Sequence, residues 1–249
     1  MTPRIGASML ELKNISYAVK DNDGSKEILK NISLNLLDDK FYVITGPNGG
    51  GKSTLAKVIA GIITPTEGSI ILDGRDITGL SVSERAKSGI SFAFQQPVRF
   101  KGITVKDLIS LAAGNNVSLD EACEYLSRVG LCARDYIDRE INASLSGGEL
   151  KRIEIAMTLA RKTKVTLFDE PEAGIDLWSF NNLIKEFEKL HDDIHGMILI
   201  ISHQERIINI ADELILIADG EMKGKGTREE ILPEHDCLTM GCRFTAEAK

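Results

Sequence analysis

A glycine-rich run in the first quarter of the chain has the residue types and spacing of a phosphate-binding loop. Its sequence is Gly46-Pro47-Asn48-Gly49-Gly50-Gly51-Lys52-Ser53, followed by Thr54. Glycines let a backbone curl until successive N–H groups point at phosphate oxygens, and a helix that starts there adds positive potential. We expect Lys52 to reach the β- and γ-phosphates of a nucleotide, Ser53 to ligate Mg²⁺, and Thr54 to donate to the α-phosphate. Because a chance glycine-rich turn would match this pattern in only on the order of 1% of chains this long, phosphate binding is favoured.

Polar side chains end three further strands that the apolar pattern predicts. Asp169 and Glu170 end one, Gln95 ends a second, and His203 ends a third. Carboxylates suit Mg²⁺ and base catalysis, an amide can touch metal or water, and a histidine can contact phosphate. The run Leu145-Ser146-Gly147-Gly148-Glu149 opens a long helix, whose N-terminus is a second place able to bind an anion. Each feature alone also suits a helix cap or a structural histidine, but their order behind the loop favours nucleotide chemistry.

This set of motifs, in this order, resembles the ATP-binding cassette (ABC) family from about residue 17 to at least residue 219. The resemblance implies a P-loop NTPase of the α/β class that hydrolyses ATP to ADP and phosphate with Mg²⁺ as cofactor. Carried onto this chain, it implies that Asp169 holds Mg²⁺ together with Ser53 and Gln95. Glu170 would then polarise the attacking water as the general base, and Gln95 would sense the metal.

The resemblance also assigns residues that touch nucleotide from other sides. His203 would contact the γ-phosphate and orient the water, and Tyr17 would stack on adenine. The signature run Ser146-Gly147-Gly148-Glu149 would bind the γ-phosphate of a partner subunit's ATP, and Asp176 would act across the dimer seam. Because one chain then supplies only half of each site, the resemblance implies a head-to-tail homodimer that forms with ATP.

Two kinds of partner are open for such a cassette. Residues 92–97, 146–154 and 203–207 are similar to stretches of the SUF-system ATPase of iron–sulfur cluster assembly, which implies a soluble scaffold of the SufB/SufD kind as partner. Residues 173–176 and Gln204 depart from the usual SUF pattern. The commonest role of a single cassette is the nucleotide-binding subunit of a membrane transporter. We expect the cluster-assembly role, and the transporter subunit, with a membrane permease as partner, is the alternative.

Hydrophobic periodicity and turn residues predict the elements that position these side chains. Weak alternation at the start predicts an N-terminal antiparallel β-layer, and strands alternating with helices predict a mostly parallel core sheet. Within a single ABC domain, residues 9–95 and 160–226 would form the core and its β-layer. Residues 96–159 would form an inserted helical subdomain and residues 227–249 a C-terminal tail. The pattern Ser118-x-x-Glu121 predicts a capped helix start inside the subdomain.

Composition argues against several other classes of protein. The 249 residues carry a net charge of −7, which argues against non-specific nucleic-acid binding. No apolar run approaches the ~20 residues that a membrane helix needs, and residues 1–12 lack a signal peptide's apolar segment, so we expect a cytoplasmic protein. Four cysteines without an export signal predict reduced thiols. His235, Cys237 and Cys242 near the C-terminus are candidate metal ligands, although an ordinary tail is the favoured interpretation.

Overall fold

Two β-sheets and the helices around them make up the computed structural model of the chain. It describes residues 9–21, 24–95, 100–142, 144–176, 180–181, 183–185, 187–189 and 196–232. Within these ranges every helix is too short or too polar to cross a bilayer.

The first sheet is an antiparallel layer built from the N-terminal hairpin and two strands that come after the first helix. Its strands are β1 (Met9–Asp21), β2 (Gly24–Leu37), β4 (Glu67–Leu72) and β5 (Arg75–Asp76), in the order β2-β1-β4-β5. Side chains alternate between its two faces. Leu10 and Leu12 of β1 lie opposite Leu36 and Leu34 of β2, and all four are buried on the inward face. The layer therefore has one apolar face, which packs on the core sheet.

The second sheet is mostly parallel and forms the centre of the molecule. Its strands are β3 (Phe41–Thr45), β6 (Ile90–Ala93), β7 (Val165–Asp169), β8 (Met197–Ile201), β9 (Glu213–Ala218) and β10 (Glu221–Gly226), in the order β10-β9-β3-β8-β7-β6. β10 pairs antiparallel with β9, and the other pairs are parallel. Phe41 and Val43 belong to the hydrophobic cluster on the helical side, whereas Tyr42 and Ile44 belong to the cluster under the antiparallel layer. Both faces of the sheet are covered, which is why its central strands are apolar throughout.

The helices connect these strands or pack on the helical side of the core sheet. Those whose bounds the structure gives are α1 (Lys52–Ala60), α2 (Val82–Lys87), α3 (Val105–Ala113), α4 (Leu119–Arg128), α5 (Ala133–Tyr136), α6 (Gly147–Ala160), α7 (Glu205–Asn209) and α8 (Arg228–Ile231). Helices α3 and α4 both pack against α6, the helix that the signature run begins. Serine or threonine caps with a carboxylate three residues later start α2, α3, α4 and α6.

The predicted α/β class, the antiparallel N-terminal layer and the mostly parallel core sheet are confirmed. The predicted capped start of α4 at Ser118 is also found. Strand β10 and helix α2 were missed. β10 carries lysines and glycines at the edge of the sheet, and α2 spans only six residues, so neither shows a clear apolar period. The boundaries between core, helical subdomain and tail stay predictions.

Candidate active site

The loop between β3 and α1 is packed too closely for a side chain at two of its glycines. Gly46 lies at φ +134°, and a Cβ there would fall 2.1 Å from the carbonyl oxygen of Ile217. Gly51 lies at φ +102°, and a Cβ there would fall 3.0 Å from the carbonyl oxygen of Ile28. The loop is thus pressed against β9 on one side and β2 on the other. Residues 47–49 are exposed, so the opposite side of the loop faces outward.

Lys52, the first residue of α1, turns its ammonium group back into the loop. Nζ donates to the carbonyl oxygens of Gly46 and Pro47, both at 2.8 Å, and the residue is only 6% exposed. Burial lowers the pKa of Lys52, and the carboxylates of Glu170 and Asp169 oppose that shift. Among the described residues the hydrogen bonds of this buried cation run to neutral carbonyls, so a phosphate group fits beside it as a charged hydrogen-bond partner.

Ser53 and Asp169 bring two oxygen groups together from separate elements. The hydroxyl of Ser53 donates to Oδ1 of Asp169 across 2.9 Å, and Asp169 is 2% exposed at the end of β7. Burial raises the pKa of Asp169, Glu170 adds to the rise, and the Ser53 hydroxyl opposes it. A nearby cation would therefore stabilise this carboxylate. Hydroxyl and carboxylate oxygens are the ligands that Mg²⁺ prefers, so these residues fit the expected metal.

Gln95 and Glu170 meet beside that carboxylate. Nε2 of Gln95 donates to Oε2 of Glu170 at 2.5 Å. Glu170 lies at φ +46°, a left-handed conformation that is uncommon outside glycine, and its N–H donates to Ile201 at 3.0 Å. Backbone strain of this kind is concentrated at functional sites. The structure therefore places the predicted amide in contact with the predicted general base.

The other predicted residues lie in different surroundings. His203 is exposed directly after β8, and Asp176 is exposed after the turn that follows β7. Tyr17 is half-buried on β1 and packs on the cluster under the antiparallel layer. Thr54 is half-buried in α1. The roles assigned to these four residues stay predictions.

Glu172 is a residue of the site that the sequence analysis missed. Its Oε1 accepts from the hydroxyl of Ser202 at 2.5 Å, and that hydroxyl also accepts from the N–H of Gln204 at 3.0 Å. Its Oε2 is buried without a hydrogen-bond partner in the described part of the chain. Burial raises the pKa of Glu172, whereas the neighbouring His203 lowers it. Glu172 thus connects the turn after Glu170 to the segment that carries His203. The sequence could have indicated it, because Glu172 is a carboxylate only four residues before the predicted site residue Asp176.

The signature run, residues 146–149, forms the capped start of α6. Oγ of Ser146 accepts from the N–H of Glu149 at 3.2 Å, and Oε2 of Glu149 accepts from the N–H of Ser146 at 2.7 Å. The hydroxyl of Tyr136 donates to Oε1 of Glu149, and Arg139 lies 3.6 Å from the same oxygen. The Tyr136 and Ser146 hydrogen bonds hold the pKa of Glu149 down at about 2. None of the hydrogen bonds found among the described residues joins this run to the phosphate loop.

Lys151 and Glu154 are two further residues that the sequence analysis gave no role. Lys151 is fully buried; its ammonium donates to the carbonyl oxygen of Phe94 and lies 3.2 Å from Oε2 of Glu154. Oε1 of Glu154 accepts from the N–H of Phe94 at 2.8 Å. Phe94 follows the edge strand β6. Lys151 and Glu154 of α6 therefore bond the C=O and the N–H of Phe94, which a neighbouring strand would otherwise pair. The pair therefore anchors the segment that carries Gln95 to the signature helix.

Comparison with known proteins identifies close relatives. The family model described as ABC transporter matches residues 29–173. An uncharacterised ABC transporter ATP-binding protein of Methanocaldococcus jannaschii is 38% identical over 216 residues, covering 84% of this chain and 86% of that protein. The spermidine/putrescine import ATP-binding protein of Mesoplasma florum is 33% identical, and the match covers 93% of this chain but 65%, less than two thirds, of that protein. An ATP-binding cassette solved as a dimer in a post-hydrolysis state with ADP and Pi has a TM-score of 0.78 at 26% identity, covering 88% of this chain and 98% of that one.

These relatives do not support the expected SUF role and agree better with the transporter alternative. Both protein relatives have names of transporter ATP-binding proteins, and neither is named as an iron–sulfur assembly ATPase. The structure gives a physical reason why these residues do not identify the partner. Much of the SUF resemblance lies in Glu149, Lys151 and Glu154. Their side chains make contacts inside the cassette, so these residues indicate how the cassette is packed and do not indicate which partner it binds. The candidate ligands His235, Cys237 and Cys242 lie outside the described residues.

Proposed function

The chain belongs to the ABC transporter family, and we propose that it is the ATP-binding subunit of a membrane transporter, held at the cytoplasmic face by its permease. As a member of this family it is an ATPase that binds ATP with Mg²⁺ and hydrolyses it to ADP and phosphate. The observation that carries the transporter role is an apolar groove on α6, directly beside the segment that leads to Gln95.

Each residue of the site has a distinct task in the proposed reaction. Lys52 binds the β- and γ-phosphates, and Ser53 and Asp169 hold Mg²⁺, which when bound neutralises charge on the phosphate oxygens. Glu170 accepts the proton of the attacking water while Gln95 fixes its carboxylate. A base placed in this way contributes about 10²–10⁴-fold to the rate. The burial of Lys52 and Asp169 strengthens these charge interactions, because a buried site screens charges less than water does.

A second copy of the chain supplies the remaining contacts to each ATP. Ser146 is exposed at the N-terminus of α6, where a helix start favours an anion. Its hydrogen bonds run to Glu149 of its own lobe, so the exposed side is open to another subunit's γ-phosphate. In this arrangement His203 contacts the γ-phosphate, Tyr17 stacks on adenine and Asp176 lies at the seam. The dimeric state of the solved cassette with ADP and Pi supports a pair of subunits, and the head-to-tail orientation is part of the proposal.

The groove on α6 suits a helix offered by a permease. It has a volume of about 170 Å³, and its walls include Phe94 and Phe100, each 38% exposed, with Leu150 and Met157 behind them. Apolar side chains exposed together in a concave surface are typical of a docking site for an amphipathic helix. Glu154 also lines the groove, and it is bonded to the N–H of Phe94. A helix that enters the groove therefore meets the segment that positions Gln95.

The test is an affinity pull-down from the native membranes and cytosol under anaerobic conditions, with the groove altered in one arm. Phe100→Ser should lose a multi-span membrane protein that the unaltered chain retains, because the substitution removes an apolar wall of the groove. The matched control is Leu111→Ser, which changes a residue that is 77% exposed on α3 and does not line the groove, and it should retain that protein. Recovery of a soluble protein with an iron–sulfur chromophore in place of a permease would overturn the transporter role in favour of cluster assembly.

A further inference from the structure

The turn that follows β7 is closed by its own hydrogen bonds and is fastened to the next strand of the core sheet. The N–H of Glu170 donates to the carbonyl oxygen of Ile201, the last residue of β8, at 3.0 Å. The N–H of Ala173 donates back to the carbonyl oxygen of Glu170 at 3.0 Å, and the N–H of Ile175 donates to that of Glu172 at 3.1 Å. The backbone of Glu172 is therefore fixed beside the end of β8.

Ser202, the residue between β8 and His203, is the partner of the Glu172 side chain. It is 1% exposed, and its hydroxyl donates to Oε1 of Glu172 at 2.5 Å and accepts from the N–H of Gln204 at 3.0 Å. A hydroxyl has a single proton, so the carboxylate determines where that proton points and leaves a lone pair for Gln204. The bond from residue 204 to residue 202 spans His203. Glu172 thus fixes the backbone on both sides of His203.

The ring of His203 has little else to hold it. The residue is exposed, and none of the hydrogen bonds found among the described residues involves its ring. Its direction therefore depends on the backbone of residues 202–204. Rates are sensitive to such placement, because a shift of about 1 Å in a group that touches the reacting atoms can cost about 10²-fold.

We propose that Glu172 is a positioning residue for ATP hydrolysis: through the Ser202 hydroxyl it holds the backbone of His203 where the imidazole meets the γ-phosphate and the attacking water. The inference rests on the role proposed for His203. The general base Glu170 belongs to the same turn as Glu172. That turn therefore sets the base and the histidine relative to each other, while the phosphate loop binds ATP separately.

The test begins with Glu172→Ala, which removes the acceptor and releases the Ser202 hydroxyl. We expect kcat to fall about tenfold while KM stays within about twofold, because a misplaced histidine weakens the transition state and the phosphate loop is untouched. Ser202→Ala breaks the same bond from the other side and should lower kcat by a similar factor. Glu172→Gln keeps an acceptor for the hydroxyl and should retain kcat within about threefold. Urea unfolding of each variant verifies that it is folded.

Glu205→Ala is the matched control for loss of a carboxylate close to the histidine. Glu205 lies two residues after His203, its side chain is 68% exposed, and its ion pair with Arg228 spans 3.7 Å. An exposed pair of this kind contributes little. Both kcat and KM should therefore stay at the values of the unaltered protein.

A double variant separates positioning from general damage to the site. If Glu172 acts through the histidine, Glu172→Ala should lower kcat by no more than about twofold once His203→Ala is present. A further tenfold loss in that background would show that Glu172 acts elsewhere and would overturn the inference.

The remaining outcomes also decide the question. An unchanged kcat for Glu172→Ala, beside a reduced kcat for His203→Ala, would overturn the positioning role and leave the role of His203 intact. A Glu172→Gln variant as slow as Glu172→Ala would show that the charge matters and not the bond to Ser202. If His203→Ala keeps full activity, the role proposed for His203 fails and this inference fails with it, whereas the transporter role is decided by the pull-down.

Discussion

At the scale of single residues, hydrogen bonds to near neighbours determine the charge state of the side chain, and Glu149 is the clearest case. Its carboxylate accepts from the hydroxyl of Tyr136 and the N–H of Ser146, and both bonds favour the charged form. These bonds hold the pKa of Glu149 at about 2, below its ordinary value of 4.5. A depressed carboxyl pKa stabilises the fold above the ordinary value, and the stabilisation is lost as the pH falls towards the folded pKa.

Glu149→Gln should therefore change the dependence of stability on acid. The unfolding free energy of the unaltered protein should exceed that of the variant at about pH 6, and the difference should shrink as the pH falls to about pH 3. Urea unfolding followed by circular dichroism at several pH values measures this difference. A gap that stays constant over that range would contradict the role given to the charged carboxylate.

The sequence predicts that Lys52, Ser53, Asp169 and Glu170 belong to one site. Phosphate and Mg²⁺ need a lysine, a hydroxyl and carboxylates, and these residue types follow predicted strands in the order of the motifs. The Lys151–Phe94 contact joins residues 57 positions apart. Nothing local in the sequence indicates it, because it depends on where α6 packs relative to an edge strand.

At the scale of elements, the short helix α2 fixes the far end of the phosphate-loop helix α1. Arg85 of α2 is 1% exposed, and its guanidinium donates to the carbonyl oxygens of Val58 and Ile59 at 2.6 and 2.8 Å. It also donates to Thr78 at 2.7 Å and to Leu80 at 3.2 Å. The last carbonyls of a helix lack partners within the helix, and a cation there is favoured by the helix dipole. Arg85 therefore completes the C-terminus of α1.

Arg85→Met should destabilise the protein by about 3 kcal/mol, because buried carbonyls lose their donors and no water replaces them fully. Lys87→Met is the matched control, since Lys87 is exposed on the same short helix and should cost under about 0.5 kcal/mol. Urea midpoints with linear extrapolation give both values. Equal losses for the two variants would refute the capping role.

The strands and long helices of the fold are apparent in the sequence because their apolar runs match the period of the element, as in β3 and β8. Helix α2 is not apparent in this way. Its six residues are too few to show a helical hydrophobic period. Its buried residue is Arg85, and arginine is a residue type that is expected at the surface.

At the scale of the whole molecule, the proposed function divides the site into two halves, which no hydrogen bond joins among the described residues. The phosphate loop, Asp169 and Glu170 form one half on the core sheet. The signature run forms the other at the start of α6, bonded within its own lobe. Lys151 and Glu154 connect the lobes through Phe94, so Gln95 and the signature helix are mechanically linked in one protomer. In the proposed head-to-tail dimer, each half would meet the complementary half of the partner.

Mixing two inactive variants tests this account most directly. Lys52→Ala removes the phosphate contact of one half-site, and Ser146→Arg blocks the other; each variant alone should lack ATPase activity. In a mixed dimer one site combines the intact loop of the Ser146→Arg chain with the intact signature run of the Lys52→Ala chain. An equimolar mixture should then recover up to about a quarter of the unaltered activity, from random pairing of protomers with one complete site in each mixed dimer. A mixture as inactive as its components would contradict ATP sites shared between two copies of the chain.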